Sequence, residues 1–312
     1  MGAALELQSN KTMKILISGS SGLVGKALSK TLRAEGHAVA RLVRPGGEMS
    51  PGDVSWDPMA ATMDTTAMEG TDAVVHLSGA SIADGRWTPA RKAVLRSSRI
   101  DTTRVLVDSL LNLRTRPSVL VCASATGYYG DRGDEILTES SSPGTDFLAL
   151  LARDWEAEAA RAEMNGIRTA ILRFGLILAA DGGALPQMLL PFRLGLGGRF
   201  AAGAQWMPWI ALEDAISIVR LAIADARFCG AWNTVAPNPV RNSEFARILA
   251  GALHRPAILP VPAFALRLAL GELGEALLLA SQRAVPARLL GMQHRFRLET
   301  LDAALESALA KA

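Results

Sequence analysis

Lysine and tyrosine are the scarce residues of this sequence. Its 312 residues include six lysines, at positions 11, 14, 26, 30, 92 and 311, and two tyrosines, the adjacent Tyr128 and Tyr129. Any chemistry that needs a lysine between positions 31 and 310 must therefore use Lys92. Cysteine is as rare. Cys122 and Cys229 stand alone, without a CxxC spacing or a His/Cys cluster, which argues against a metal site and against a disulfide framework. A reduced, cytoplasmic protein is expected. No long uncharged run occurs. The greasiest stretch, 262 to 280, carries Arg267, Glu272 and Glu275, falls short of a membrane span, and reads as two amphipathic helices hinged near Gly271 or Gly274. Neither sign of charge dominates, since 33 Lys plus Arg against 30 Asp plus Glu leaves +3, so no nucleic-acid footprint follows. The first dozen residues lack the basic start and apolar run of a secretory signal and read as a loose arm.

What is abundant is apolar residues, 49% of the chain, in short runs. Residues 14–18, 38–43, 73–78, 118–124 and 169–174 are rich in Val, Ile and Leu on both faces, as buried parallel strands require. Between them, 23–35, 89–112 and 145–165 place apolar residues three and four apart, the period of crossover helices. The alternation predicts an α/β fold, a Rossmann-like doubly wound parallel sheet. After about residue 176 the chain becomes rich in glycine and proline and then breaks into short helices. A smaller, mostly helical C-terminal lobe is expected, with the boundary between a 13–229 dinucleotide domain and a 230–312 lobe.

ISGSSGLVG, residues 17–25, follows the first strand and opens the first helix. Gly19 permits a tight turn, Gly22 a close approach of backbone to pyrophosphate, and Gly25 close packing of helix on strand; Ser20, Ser21, Leu23 and Val24 complete the loop. A purely structural turn is the competing reading. About twenty residues on, where an NAD site usually carries an acid, the strand ends RLVRPGGE. Arg41 and Arg44 instead offer positive charge for a 2′-phosphate, so NADP(H) is the expected cofactor. Arg44 is favoured because it lies where the strand leaves the sheet.

The glycine loop, HLSGA (76–80), the YYG segment, FGLIL and WIALED resemble the extended short-chain dehydrogenase/reductase superfamily. The match is closer to one branch. RWTPARKAVLRSSRIDTTRVL, GGALPQMLLPFRLGLGGRF, QWMPWIALED and the long stretch 238–266 are similar to epimerase-family proteins with a C-terminal DUF1731 domain. The likeness runs from Met13 to about Leu305. It implies NADP(H) binding, with Leu77, Ser78, Gly79, Arg99 and Ile177 beside the cofactor, a small-molecule substrate that it does not identify, and a homodimer through 89–112 and 145–165.

The resemblance also shows what is missing. Members of that superfamily use a Ser or Thr, a Tyr, and a Lys four residues after the Tyr. Here the corresponding helix contains neither Tyr nor Lys, and Phe147 and Leu150 occupy the proton donor's neighbourhood. The usual Ser/Thr position falls on Ala125, leaving Ser124 and Thr126 on either side. Tyr129 matches the structural tyrosine of the family's YG segment. Tyr128 is the additional phenol, a candidate proton donor or a half-buried aromatic.

Other polar residues divide between chemistry and structure. Arg99 fits either a phosphate contact or a surface ion pair. Lys92 fits a solvated helix face, His76 a satisfied core histidine, and Asp214 a residue that caps or orients the following helix. Trp206, Met207 and Trp209 fit either an apolar pocket or the core. Three functions follow: an NADP(H)-dependent oxidoreductase or epimerase-like enzyme without a Tyr-Lys pair, a catalytically silent NADP(H)-binding sensor, and a structural adaptor. The glycine loop argues against the last.

Overall fold

The computed structural model describes residues 12–257 and 259–310. Eight strands form one sheet: β1 (Lys14–Ser18), β2 (Ala38–Val43), β3 (Val54–Asp57), β4 (Thr62–Met63), β5 (Ala73–His76), β6 (Val119–Ala125), β7 (Arg168–Phe174) and β8 (Gly230–Thr234). Their spatial order is β8-β7-β6-β5-β1-β2-β3-β4. All neighbours run parallel except β3 and β4, which form an antiparallel edge. The strand order reverses between β1 and β5, so a crevice opens there at the carboxyl ends of the strands.

Both sheet faces are covered, which is why the central strands are largely apolar on both sides. Ile15, Ile17, Val75, Val121 and Leu172 pack with Leu28 and Leu32 of the helix Leu23–Ala34 and with Ile216 and Val219 of the helix Leu212–Ala224. The alternate residues Leu16, Val74 and Leu120 meet Leu106, Val107 and Leu110 of the helix Ile100–Leu111. A separate core joins Leu185, Phe192 and Trp209, which precede residue 230, to Phe245, Leu249, Leu301 and Leu305, which follow it.

The five expected strands and three helices are present, with local differences. The pattern over 89–112 breaks into Pro89–Ser97 and Ile100–Leu111, with Ser98 ending the first helix and Arg99 capping the second. The hinge in 262–280 falls at Gly271, whose φ of +62° ends the helix Ala263–Leu270. Three strands gave no usable pattern: β3 and β4 are short, and β8 (GAWNT) mixes polar residues with a tryptophan. Strand β8 begins at the expected lobe boundary yet pairs with β7 along its whole length. Cys122 and Cys229 form no disulfide. Among the described residues no helix is long and apolar enough to cross a membrane, and no cluster of three metal-ligating side chains occurs.

Candidate active site

Strand β1 ends at Ser18, and Gly19 turns the chain at φ +67°. A Cβ on Gly19 would lie 2.7 Å from the carbonyl carbon of Leu77, so the ends of β1 and β5 touch only because this residue has no side chain. Gly22 donates its N–H to the Gly19 carbonyl at 3.0 Å and caps the first helix without a side chain. At Gly25 a Cβ would stand 2.3 Å from the Gly19 oxygen. The helix therefore starts hard against the loop, with no acid in its first turn. A helix start in this state is built for an anion, and the three glycines fit a dinucleotide pyrophosphate. Gly182 and Gly183, which sequence reasoning passed over, let their loop approach Leu23, each with a Cβ position 3.1 Å from a Leu23 methyl. Ile177 lies half-buried on the short strand Leu176–Leu178 that precedes that loop.

A buried hydrogen-bond chain fixes the crevice from below. Ser18 Oγ accepts the Leu77 N–H at 3.1 Å and lies 2.7 Å from His76 Nδ1, while His76 Nε2 lies 3.0 Å from Thr103 Oγ1. Thr103 donates its single proton to the Arg99 carbonyl at 2.6 Å and accepts the Trp155 indole N–H at 2.9 Å. This bookkeeping assigns His76 the neutral tautomer protonated at Nε2. Burial pushes its pKa down to about 4. His76 is thus a satisfied core histidine.

The two arginines of the second strand have separate fates. Arg41 Nε sits 3.0 and 3.2 Å from the two carboxylate oxygens of Asp53, and its Nη2 is 2.5 Å from one of them. Arg44 is exposed at the crevice end of β2 and makes no ion pair or side-chain hydrogen bond among the described residues. Arg99 lies beneath Gly79, where a Cβ would meet the guanidinium carbon at 3.1 Å, and it donates to the Ala80 carbonyl at 3.0 Å. Burial, and secondarily the charge of Arg91, lower its pKa to about 10. Among the described residues it has no carboxylate partner, which sets aside the surface ion pair.

At the ends of β6, β7 and β8, Ser124, Arg173 and Asn233 stand in register across the sheet. Ser124 donates to Glu156 at 2.6 Å, and Arg173 holds the same carboxylate through Nε at 2.8 Å and Nη2 at 2.7 Å. Burial opposes the charge of Arg173, but Glu156 more than restores it and raises the pKa. Arg173 also donates to Tyr129 Oη at 3.0 Å, and Tyr129 donates in turn toward Asn233 Oδ1 at 2.6 Å. Burial pushes the Tyr129 phenol up to about 12. Sequence reasoning missed Glu156, Arg173 and Asn233; the available signal was a charged residue inside the apolar strand TAILRF.

This layer separates the catalytic candidates. Ser124 spends its only proton on a buried carboxylate, so its hydroxyl faces the helix Phe147–Met164 rather than the crevice. Thr126 is buried in the 3₁₀ turn Thr126–Tyr129, and Ala125 is exposed at the strand end. Tyr128 is half-buried, with the Arg173 guanidinium carbon 3.5 Å from its ring centre and the ring edge-on to Tyr129. Among the described residues its hydroxyl takes no hydrogen bond. Phe147 is covered by Trp87 at 5.2 Å and by Lys92, whose Nζ lies 4.7 Å from its ring centre and 2.5 Å from Glu272.

On the lobe side, Trp209 is core, fully buried with its indole N–H donated to the Asn238 carbonyl. Trp206 donates to Asp134 at 2.7 Å between the guanidinium groups of Arg241 and Arg283. Met207 accepts from the Asn242 amide. Asp214 does not cap its helix; it accepts the backbone N–H groups of Arg297 and Leu298 and ties the C-terminal segment down.

Comparisons with known proteins agree with this fold. Residues 15–233 match the NAD dependent epimerase/dehydratase family, and residues 261–308 match a domain of unknown function, DUF1731. The epimerase family protein Mb2239 of Mycobacterium bovis is 40% identical over 297 residues, covering 95% of this chain and 98% of the relative. The crystal structure of human epimerase family protein SDR39U1 (isoform 2) with NADPH superposes with a TM-score of 0.88 at 32% identity, covering 96% of this chain and all of that one. A nucleoside-diphosphate sugar epimerase from Corynebacterium glutamicum gives a TM-score of 0.80 at 37% identity, over 96% of this chain and 59% of that one.

Proposed function

Because the chain belongs to the NAD dependent epimerase/dehydratase family and carries the DUF1731 segment behind it, we propose that it is an NADP(H)-dependent oxidoreductase or epimerase-like enzyme that works without a Tyr-Lys pair. The observation that carries the cofactor is the division of labour between Arg41, held by Asp53, and Arg44, exposed beside a glycine cradle that side chains would fill. The NADPH in the human relative's crystal structure supports the same choice. Gly19, Ser20, Ser21, Gly22, Leu23 and Val24 would hold the pyrophosphate, Arg44 the 2′-phosphate, and Leu77, Ser78, Gly79 and Ile177 the rest. Arg99 buttresses Gly79 from below. When bound, the dinucleotide supplies a nicotinamide that takes up or delivers a hydride.

The remaining need is a proton donor. Ser124 is committed to Glu156 and Tyr129 to Asn233, which leaves Tyr128 as the phenol with an uncommitted hydroxyl. Arg173 fixes the ring of Tyr128 through its face, a contact worth about 0.5–2 kcal/mol in comparable settings. The test is hydride transfer, followed by nicotinamide absorbance with small carbonyl compounds and nucleotide sugars. Tyr128→Phe should abolish turnover and leave NADPH affinity unchanged, because only a transferable proton is removed. Turnover that survives the substitution refutes the assignment.

A second reading, a silent NADP(H)-binding sensor, is favoured by one observation: Ser124, one of the two hydroxyls flanking the usual Ser/Thr position, is bound to the carboxylate of a buried ion pair. It predicts tight NADPH binding with no turnover of any carbonyl in the panel.

A further inference from the structure

We propose that the lobe carries a second anion site, separate from the dinucleotide crevice, that takes a small molecule bearing two or more phosphate groups. Arg199, Arg247 and Arg255 line one hollow of about 410 Å³ together with Ser243, Ala246, Ala250, Gly251 and Ala257. Among the described residues no acidic side chain lines it. Many exposed arginines of this protein carry a carboxylate partner, such as Arg104 with Asp101 and Glu158, Arg161 with Asp108, and Arg227 with Asp225. The three arginines of the hollow make no ion pair and no side-chain hydrogen bond among the described residues, and Glu244, one turn before Arg247, does not pair with it. Three like charges gathered on one concavity repel one another, and a polyanion removes that repulsion.

The walls are held in place by backbone. Phe200 donates its N–H to Asn242 Oδ1 at 2.7 Å, and the Val261 N–H bonds the Arg199 carbonyl at 2.9 Å, which fixes the Arg199 side. Gly203, at φ +70°, leaves room where a Cβ would lie 3.0 Å from Arg199 Cδ and 2.8 Å from Ser243 Cβ. On the far side His254 takes φ +52° just beyond the helix Asn242–Ala252, so the chain folds back and the Arg255 N–H reaches the Ala250 carbonyl at 2.9 Å. The floor is the helix face Ser243, Ala246, Ala250 and Gly251, small enough for a ligand to lie close. Guanidinium forks suit phosphate oxygens, which accept two parallel N–H bonds. A volume of this size is in the range of small-ligand sites.

The probe is pyrophosphate, titrated calorimetrically into the whole protein already saturated with NADPH. Binding at a single site with a Kd below about 1 mM is expected, and the Arg199→Gln/Arg247→Gln/Arg255→Gln variant should lose about tenfold or more, since each lost contact is charge-assisted. Gly251→Glu places a carboxylate in open space on the floor, costs the helix nothing, and should abolish binding while the fold stays intact. Arg44→Ala should leave pyrophosphate binding unchanged. Absence of pyrophosphate binding, binding that survives both hollow variants, or loss of binding in Arg44→Ala overturns the site. NADPH affinity of the hollow variants, read in parallel, reports separately on the dinucleotide crevice.

Discussion

At the scale of single residues, charge placement decides more than charge number. Arg41 and Arg44 are three positions apart, yet Asp53 holds one and leaves the other to solvent. NADPH should therefore bind more tightly than NADH, and Arg44→Ala should remove most of the difference, about 1.5–3 kcal/mol for a charge-assisted contact. Equal affinities of the unaltered protein, measured by fluorescence titration, contradict the assignment. His76 makes a pH prediction. Unfolded, its imidazole protonates near its ordinary value of 6.5; folded, it resists until about pH 4. In that window the unfolded chain binds more protons, so stability falls as the pH drops, by about 3 kcal/mol in all, and is flat above pH 7. His294, also shifted down by burial, adds to the same slope. Urea unfolding at pH 5 and pH 7 should show the loss, and His76→Gln should reduce it. An unchanged slope in that variant would place the titration elsewhere.

Elements are joined here through buried polar contacts rather than by apolar packing alone. The helix Phe147–Met164 begins at Asp146, whose carboxylate accepts the Ala149 N–H at 3.0 Å. It docks on β7 through Glu156 and Arg173. Arg173→Met leaves a carboxylate buried without its cation and should cost about 3–5 kcal/mol, whereas the double variant Arg173→Met/Glu156→Gln should recover much of that loss. Equal unfolding free energies for the single and double variants would show that the pair is not coupled. The same experiment bears on the site, because Arg173 touches both phenols. Gly130, at φ +67°, marks the other constraint: a Cβ there would meet Asp146 Oδ2 at 2.7 Å, so the YYG turn and the helix start are fitted to each other.

At the scale of the whole molecule, the segment 262–280 closes on the sheet's helices through an apolar seam with an ionic rim. Leu270, Leu273 and Ala276 pack with Trp87 and Phe147, and Lys92 with Glu272 stands outside them. The rim pair is exposed and should contribute little, so Lys92→Ala is expected to cost less than about 1 kcal/mol. Leu273, 5% exposed, should cost about 2–5 kcal/mol on truncation to Ala. Denaturant unfolding measures both. A larger effect from Lys92 would make the seam electrostatic.

The parallel sheet, its order of elements and the dinucleotide crevice were legible in the sequence, because each rests on local signals. Buried strands read as apolar runs, helices as a period of three to four, and the turn at Gly19 as a glycine beside others at fixed spacing. The loss of the Tyr-Lys pair was equally plain, since a chain with no lysine between Lys92 and Lys311 cannot restore it. Other features were decided only by tertiary structure. Position at the strand end favours Arg44 over Arg41, but only the fold shows Asp53, twelve residues on, taking Arg41. Ser124 looks catalytic until a helix brings Glu156 to it. β8 carries too mixed a pattern to announce an edge strand, and it exists because β7 offers an unpaired backbone beside it. Local sequence sets what a segment can form; which of its polar groups stay free depends on partners brought close by folding, and no spacing along the chain encodes those.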